Sequence, residues 1–202
     1  PLLWKNDWPY CGEQFKGGTF EIESERRGYA LELAVDFVRM NVARAGGFGG
    51  FGRPQANAAP PQPVANQTLD QVKSTWPDGD IPARIGDYMF RPHQRWTVTP
   101  VEGKGAYLRN TYFKITIEGT ERALAATADK EVITVPAYTG DDAQLWRIGQ
   151  LTDGTFRIMP KVIPGQEGIN THICLYSAGD STPTLAEYDF SSDNSKWNFR
   201  NH

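Results

Sequence analysis

A chain of 202 residues is long enough to bury a proper core and fits one or two domains. Its net charge of −3, pI of about 5.7 and lack of any Lys/Arg cluster argue against nucleic acid or an anionic membrane as partner. No apolar run approaches the roughly 18 residues that a membrane-spanning helix needs. The 20 Gly, 14 Pro and 12% aromatic residues fit many short strands joined by turns.

Residues 1–18 contain Trp4, Trp8, Pro9 and Tyr10, too apolar a set for a free tail. This arm is expected to lie against the rest of the chain or against a neighbouring domain. The start at Pro1, without Met or signal peptide, reads as a processed product or a piece of something longer. Strand patterns begin at Thr19–Ser24, Tyr29–Val35 and Val38–Arg44. Composition then changes. A glycine run with two phenylalanines (Gly46 to Gly52) and a proline-rich stretch (Ala58 to Pro63) lead into one weak helical segment, Thr68–Ser74, with Thr68 as its cap. Residues 46–88 read as one insertion.

Beyond the insertion, strands are expected at Arg95–Thr99, Tyr112–Ile117, Arg122–Ala126, Val132–Tyr138 and Leu145–Gln150. Four more follow at Thr155–Met159, Thr171–Leu175, Thr184–Tyr188 and Lys196–Arg200. Turn signals such as Glu118-Gly119, Thr152-Asp153-Gly154 and Ser191-Ser192-Asp193-Asn194 separate them. The strands repeat. Gln94-Arg95-Trp96, Gln144-Leu145-Trp146 and the weakened Ser195-Lys196-Trp197 place three tryptophans 50 and 51 residues apart. Phe20-Glu21-Ile22, Phe113-Lys114-Ile115 and Phe156-Arg157-Ile158 open the repeats, and Ala30-Leu31, Ala123-Leu124 and Cys174-Leu175 follow. Asp36, Asp129 and Asp180 each stand five residues after the Leu, which favours a repeated turn. From Asp129 to Trp146 and from Asp180 to Trp197 is 17 residues, but from Asp36 to Trp96 is 60, an excess of 43 that the insertion absorbs.

Three four-stranded repeats are expected to close on themselves, because closure removes exposed strand edges. The arrangement that fits is an all-β fold, a β-trefoil of three repeats of about fifty residues with a long loop insertion in the first. Residues 1–18 would be an arm or linker, and 19–202 the trefoil. Gln-x-Trp closing each repeat resembles the ricin-B-type trefoil, the fold of carbohydrate-binding module family 13. The stretch Leu3-Trp4-Lys5-Asn6-Asp7-Trp8-Pro9 resembles the end of the last blade of arabinanase-like family 43 glycoside hydrolases, propellers that cleave arabinans, xylans and galactans. These resemblances imply a lectin-like, non-catalytic module of a secreted, periplasmic or cell-surface enzyme. Its partners would be a preceding catalytic domain and plant cell-wall polysaccharide. Two alternatives stay open: a part of a family 43-type glycosidase whose propeller precedes this chain, and a free lectin or trefoil inhibitor.

Sugar recognition needs a carboxylate or amide fork for vicinal hydroxyls and an aromatic face for ring C–H groups. In the resembled family the acid follows the Cys-Leu pair directly, and Glu32, Ala125 and Tyr176 stand there in this chain. The family's stacking aromatic falls near Thr134 and Leu185, so the second and third repeats lack the usual pair. The first repeat, with Glu32, is the expected binding place. Further candidates stand in the loops before the motif: Tyr138, Asp141 and Asp142 in the second repeat, and Tyr188, Asp189, Asp193 and Asn194 in the third. Turn-making with their own backbone is the competing role for the Asp and Asn residues. The three motif tryptophans are expected in the core, with Gln94 and Gln144 bonding backbone.

No catalytic constellation stands out. His93, His172 and His202 are dispersed and none belongs to a metal-ligand spacing. Gly46–Gly52 lacks the Lys-Ser/Thr of a phosphate loop, and nothing in the pattern calls for a cofactor. Cys11 and Cys174 admit two readings: one disulfide in an exported protein, or two separate thiols with Cys174 a small core residue in place of alanine.

Overall fold

A computed structural model describes residues 2–5, 8–11, 15–26, 28–35, 73, 75–103, 111–166, 172–177 and 182–201, with 2–5 and 8–11 as backbone only. The chain divides into two compact units, Pro1–Ala34 with Pro77–His202, and Val35–Trp76. In the first unit, strands β1 (Leu2–Lys5) and β2 (Trp8–Cys11) form an antiparallel hairpin. From Gly18 onward the described residues of that unit hold twelve strands. They are β3 (Gly18–Ser24), β4 (Ala30–Leu33), β5 (Ile81–Gly86), β6 (Arg95–Val101), β7 (Tyr112–Ile117), β8 (Ala123–Ala126), β9 (Val132–Val135), β10 (Trp146–Gln150), β11 (Phe156–Pro160), β12 (Ile173–Tyr176), β13 (Thr184–Glu187) and β14 (Trp197–Arg200).

The first and last strands of each repeat close a ring. Strand β3 pairs with β6, β6 with β7, β7 with β10, β10 with β11, β11 with β14, and β14 returns to β3. The inner two strands of each repeat form hairpins, β4–β5, β8–β9 and β12–β13. A six-stranded ring with three hairpins is the all-β trefoil that the fifty-residue spacing implies.

The core explains the spacing. Trp96, Trp146 and Trp197 are each 0% exposed. Each indole N–H donates to the carbonyl of the Leu on the second strand of its own repeat: Trp96 to Leu31 at 2.7 Å, Trp146 to Leu124 at 2.9 Å, Trp197 to Leu175 at 2.9 Å. One bond per repeat satisfies the ring's only donor and ties the barrel to the hairpin. Ile22, Ile115 and Ile158 are fully buried beside these tryptophans' strands, as period-two alternation requires.

Phe15, at the entry to the barrel, was not marked by the repeat pattern. Its ring lies 5.5, 5.4 and 5.5 Å from Phe20, Phe113 and Phe156, and 4.8 Å from Phe199. Three equivalent phenylalanines thus converge on one ring supplied by the arm. The chain turns into β3 through Gly17, with φ 85°, where a Cβ would meet the Val98 carbonyl oxygen at 2.3 Å. Only glycine fits that approach.

One strand assignment needs correction. The third strand of the first repeat is Ile81–Gly86, which lies inside the stretch read as insertion. Ile81, Ala83 and Ile85 are buried in alternation, and β5 pairs with β4 and β9. Pro82 disguised it, since proline inside a run argues against a strand. Here the β4–β5 register stops at Leu33↔Ala83, and beyond it the Pro82 carbonyl still accepts from Ala34 N at 2.8 Å, so only the return bond that proline cannot donate is lost. Val38–Arg44, expected in that role, lies outside the described residues, as do Asp36 and Asp180. Of Thr68–Ser74 only Lys73 is described, in helical conformation. Asp129 is exposed in a turn. Cys174 is a free, buried thiol paired across from Ala186, and burial pushes it up to about 11. It is the small core residue of the second cysteine reading.

Candidate functional site

A short 3-10 turn precedes each closing strand: Pro92–Gln94, Asp142–Gln144 and Asp193–Ser195. The motif glutamine pins the loop before it. The Gln94 side-chain oxygen accepts from Met89 N at 2.8 Å, and that of Gln144 accepts from Thr139 N at 2.8 Å. In the weakened third copy Ser195 Oγ donates to the Asp189 carbonyl at 2.8 Å. These bonds make the motif a loop anchor rather than a ligand contact. The loops they hold carry most of the expected site residues.

In the first repeat Glu32 is only 5% exposed. Arg84 Nε donates to its Oε1 at 2.6 Å and Gln94 Nε2 to its Oε2 at 2.6 Å, with His93 Nε2 3.3 Å from Oε2. Burial raises the carboxyl's pKa, but hydrogen bonds and charge from His93 and Arg84 outweigh it and hold the group below its usual value. The reason Glu32 turns inward is local. It sits opposite Arg84 in the β4–β5 hairpin, and Gly86 leaves its carboxylate room, since a Cβ there would meet Oε1 at 2.8 Å. Both oxygens are already bonded, so a sugar hydroxyl would have to displace Gln94 or Arg84.

The second repeat is arranged differently. Ala125 and Ile133 face each other where Glu32 and Arg84 stand in the first, so that hairpin carries no ion pair at this place. The polar groups are in the loop. Tyr138 is half-buried, with Lys114 Nζ 5.3 Å from its ring centre. Asp142, with a side chain 43% exposed, pairs with Lys161 Nζ at 2.8 Å, and that ammonium lies 5.2 Å from the Tyr112 ring centre. Burial, then Asp142, raise the Tyr138 pKa while Lys161 opposes them, so the phenol stays neutral and can both donate and accept. Asp141 caps the 3-10 turn, accepting from Ala143 N at 2.8 Å. The turn-making role describes Asp141, but Asp142 faces a lysine.

The third repeat holds a related set. Arg157 lies 4.7 Å from the Tyr188 ring centre, and Asn194 Nδ2 donates to Tyr176 Oη at 3.0 Å. Asp189 Oδ1 accepts from Ser191 N at 2.9 Å, a turn within its own loop. Asp193 pairs with Lys196 at 3.3 Å. Among the described residues no group of three or more His, Cys, Asp or Glu side chains is placed to hold a metal ion.

Lys114, Arg157 and Lys161 were not singled out from the sequence. Nor was Tyr88, although Tyr88, Tyr138 and Tyr188 stand 50 residues apart, and the middle residue of each Phe-x-Ile unit could have been paired with them. Lys114 lies over the Tyr138 ring and Arg157 over the Tyr188 ring, while burial, and after it the charge of Glu21, raise the Tyr88 pKa. The second and third repeats thus each place one tyrosine ring beside a central cation.

No protein-family model matches the chain, and no curated protein matches it. Among solved structures it is similar to ThreeFoil, a designed 3-fold symmetric protein, with 17% identity and a TM-score of 0.55 over 92% of this chain and 99% of that one. It is similar to the Rhizoctonia solani agglutinin, with 14% identity and a TM-score of 0.53 over 95% of this chain and 100% of that one. It is also similar to an exo-β-1,3-galactanase from Clostridium thermocellum, with 14% identity and a TM-score of 0.51 over 90% of this chain. The match spans 30% of the galactanase's length. At such identities the likeness is one of fold: the chain is a β-trefoil.

Proposed function

We propose that this chain is a non-catalytic glycan-binding module, and that its working site is the second-repeat loop rather than the Glu32 position. The observation that carries the reading is a loop that sets Tyr138, with Lys114 over its ring, four residues before half-exposed Asp142, whose carboxylate holds the mostly covered ammonium of Lys161. An aromatic ring, an anionic acceptor and a cationic donor can together hold a sugar's ring face and two neighbouring hydroxyls. Glu32 offers the same chemistry only after its internal bonds break. In the fuller form of this proposal the module serves a plant-polysaccharide-degrading glycoside hydrolase of family 43 type, outside the cytoplasm, with a catalytic domain preceding it. The Leu3-Trp4-Lys5-Asn6-Asp7-Trp8-Pro9 stretch supports that, and the similarity to part of a galactanase is compatible with it.

Calorimetry of the chain against oligosaccharides of galactan, xylan and arabinan tests the reading. One site with a few hydrogen bonds, each adding about 0.5–1.5 kcal/mol net, implies a Kd no tighter than micromolar, which already needs about 8 kcal/mol. Asp142→Ala should weaken binding about tenfold, a loss of about 1.4 kcal/mol. No heat with any of the three glycans, or hydrolysis of one of them by this chain, would sink the proposal.

A further inference from the structure

We infer that the third repeat carries a site for an acidic sugar, in which Arg157, lying over the Tyr188 ring, grips the carboxylate of a hexuronic acid residue. The inference rests on the glycan-binding reading above and concerns residues outside the second-repeat loop.

The first observation is that Arg157 has no acid of its own. The chain has 24 Asp and Glu to 21 Lys and Arg, so carboxylates are in good supply. Arg84, Arg95, Lys161, Lys196 and Arg200 each meet one within 3.1 Å. The buried Arg122 is instead spent on the carbonyls of Pro77 and Gly79, at 2.8 Å each. Arg157 does neither. Among the described residues no acid pairs with it, and its Nε is shut off from water without an acceptor. What holds the group is the ring, since the guanidinium carbon lies 4.7 Å from the centre of Tyr188. A guanidinium held by a π face keeps its in-plane donors for another partner. Its two terminal nitrogens form an edge that a planar carboxylate meets with two parallel hydrogen bonds.

The second observation is that the fold builds this arrangement and leaves it open. Tyr188 is fixed by its backbone, its N donating to the His172 carbonyl at 2.8 Å, as Tyr138 N donates to the Glu121 carbonyl at 3.0 Å. Arg157 stands on β11 across from Gly149, which has no side chain to cover it. Both Arg157 and Tyr188 are partly exposed. Asp189, next to the tyrosine in sequence, turns onto Ser191, at 2.9 Å to its N and 2.6 Å to its Oγ, and not onto the arginine. The second repeat offers the same pair in a weaker form, Lys114 over Tyr138, because a lysine lacks the fork and half-exposed Asp142 stands four residues on. A cation over an aromatic ring suits a pyranose that carries a carboxylate. The acid takes the guanidinium edge, and the sugar's C–H face takes the exposed part of the ring. A residue of a galacturonan and a glucuronic acid branch on a xylan share that chemistry.

The experiment is an NMR titration of the 15N-labelled chain that follows backbone amides and arginine Nε–H signals. The sugars are trigalacturonate, its methyl ester, xylotriose with one glucuronic acid branch, and neutral galactotriose. At least one of the two acidic sugars should shift the Arg157 Nε–H and the Tyr188 amide, and which of them binds tells galacturonan from glucuronoxylan. Replacing the charge by an ester should weaken trigalacturonate binding about tenfold. Raising NaCl to about 0.5 M should weaken binding of the acid about threefold. These comparisons use the parent chain and do not depend on how a variant folds. Arg157→Gln should abolish the shifts, and Asp142→Ala should leave them in place. An arginine that only covers Tyr188 would behave otherwise, with Arg157→Gln lowering Tm and leaving the acidic sugars bound as before. Equal binding of trigalacturonate and its ester, or acid shifts confined to the Tyr138–Asp142 loop, would overturn the inference and leave the glycan-binding reading standing. Silence with both acidic sugars while galactotriose shifts that loop would do the same. Silence with all four would overturn the inference together with the reading it rests on.

Discussion

The first and second repeats share one frame and spend their polar side chains differently. In both, the motif tryptophan donates to a leucine carbonyl and the glutamine pins the preceding loop. In the first, the hairpin carries Glu32 opposite Arg84, and the acid is consumed inside the protein by Arg84 and Gln94. In the second, Ala125 opposite Ile133 leaves the hairpin apolar there, and the acid stands in the loop as half-exposed Asp142. A threefold frame therefore determines where backbone goes, while one cross-strand pair decides whether a carboxylate serves the fold or faces solvent. An acid at the place of Glu32 is engaged within the fold when a cation stands opposite it.

The shared frame is the easiest part of this comparison to break. Trp96→Ala and Trp146→Ala should each cost about 3–5 kcal/mol in urea unfolding, since each empties a fully buried indole's volume. Costs differing by more than about 2 kcal/mol would show that the repeats are not equivalent supports.

The next effect separates the two acids. Glu32→Ala strips a buried cluster of its acceptor and should cost about 2–3 kcal/mol. Asp142→Ala removes a half-exposed partner and should change stability by less than about 1 kcal/mol while weakening glycan binding. The reverse order would mean that Asp142 is the structural acid.

The acid limb of a pH–stability curve sharpens the same contrast. Glu32 is held below its usual value, so its contribution is complete above the unfolded value of about 4.3. That contribution is lost as pH falls through the lowered folded value. Glu32→Gln should flatten this part of the curve, and an unchanged slope would show that other carboxylates govern it.

The smallest effect concerns the loops. Gly140→Ala should cost about 1 kcal/mol. Nothing lies within 4 Å of the added Cβ, so the cost comes from φ 87° alone. Thermal unfolding would measure it, and a neutral result would show that this loop accepts a side chain at its left-handed residue.

Period and spacing alone determined that the chain repeats three times, that Trp96, Trp146 and Trp197 enter a core, and that the first repeat carries 43 extra residues. Those features are local, because alternation and turn residues act over a few positions. The extra residues explain why the Trp96–Leu31 bond spans 65 residues where its two counterparts span 22. What the tertiary structure alone decided is which distant residues meet. The third strand at Ile81–Gly86 became visible only through β4 and β9, which pair with it. Phe15 meets phenylalanines from all three repeats, a convergence that no single stretch of sequence shows. Glu32 meets Arg84 across 52 residues and Gln94 across 62, and a carboxylate has no periodicity that reports its partner. Repeated backbone can be read from spacing, but the fate of a charged side chain depends on the single group the fold sets opposite it.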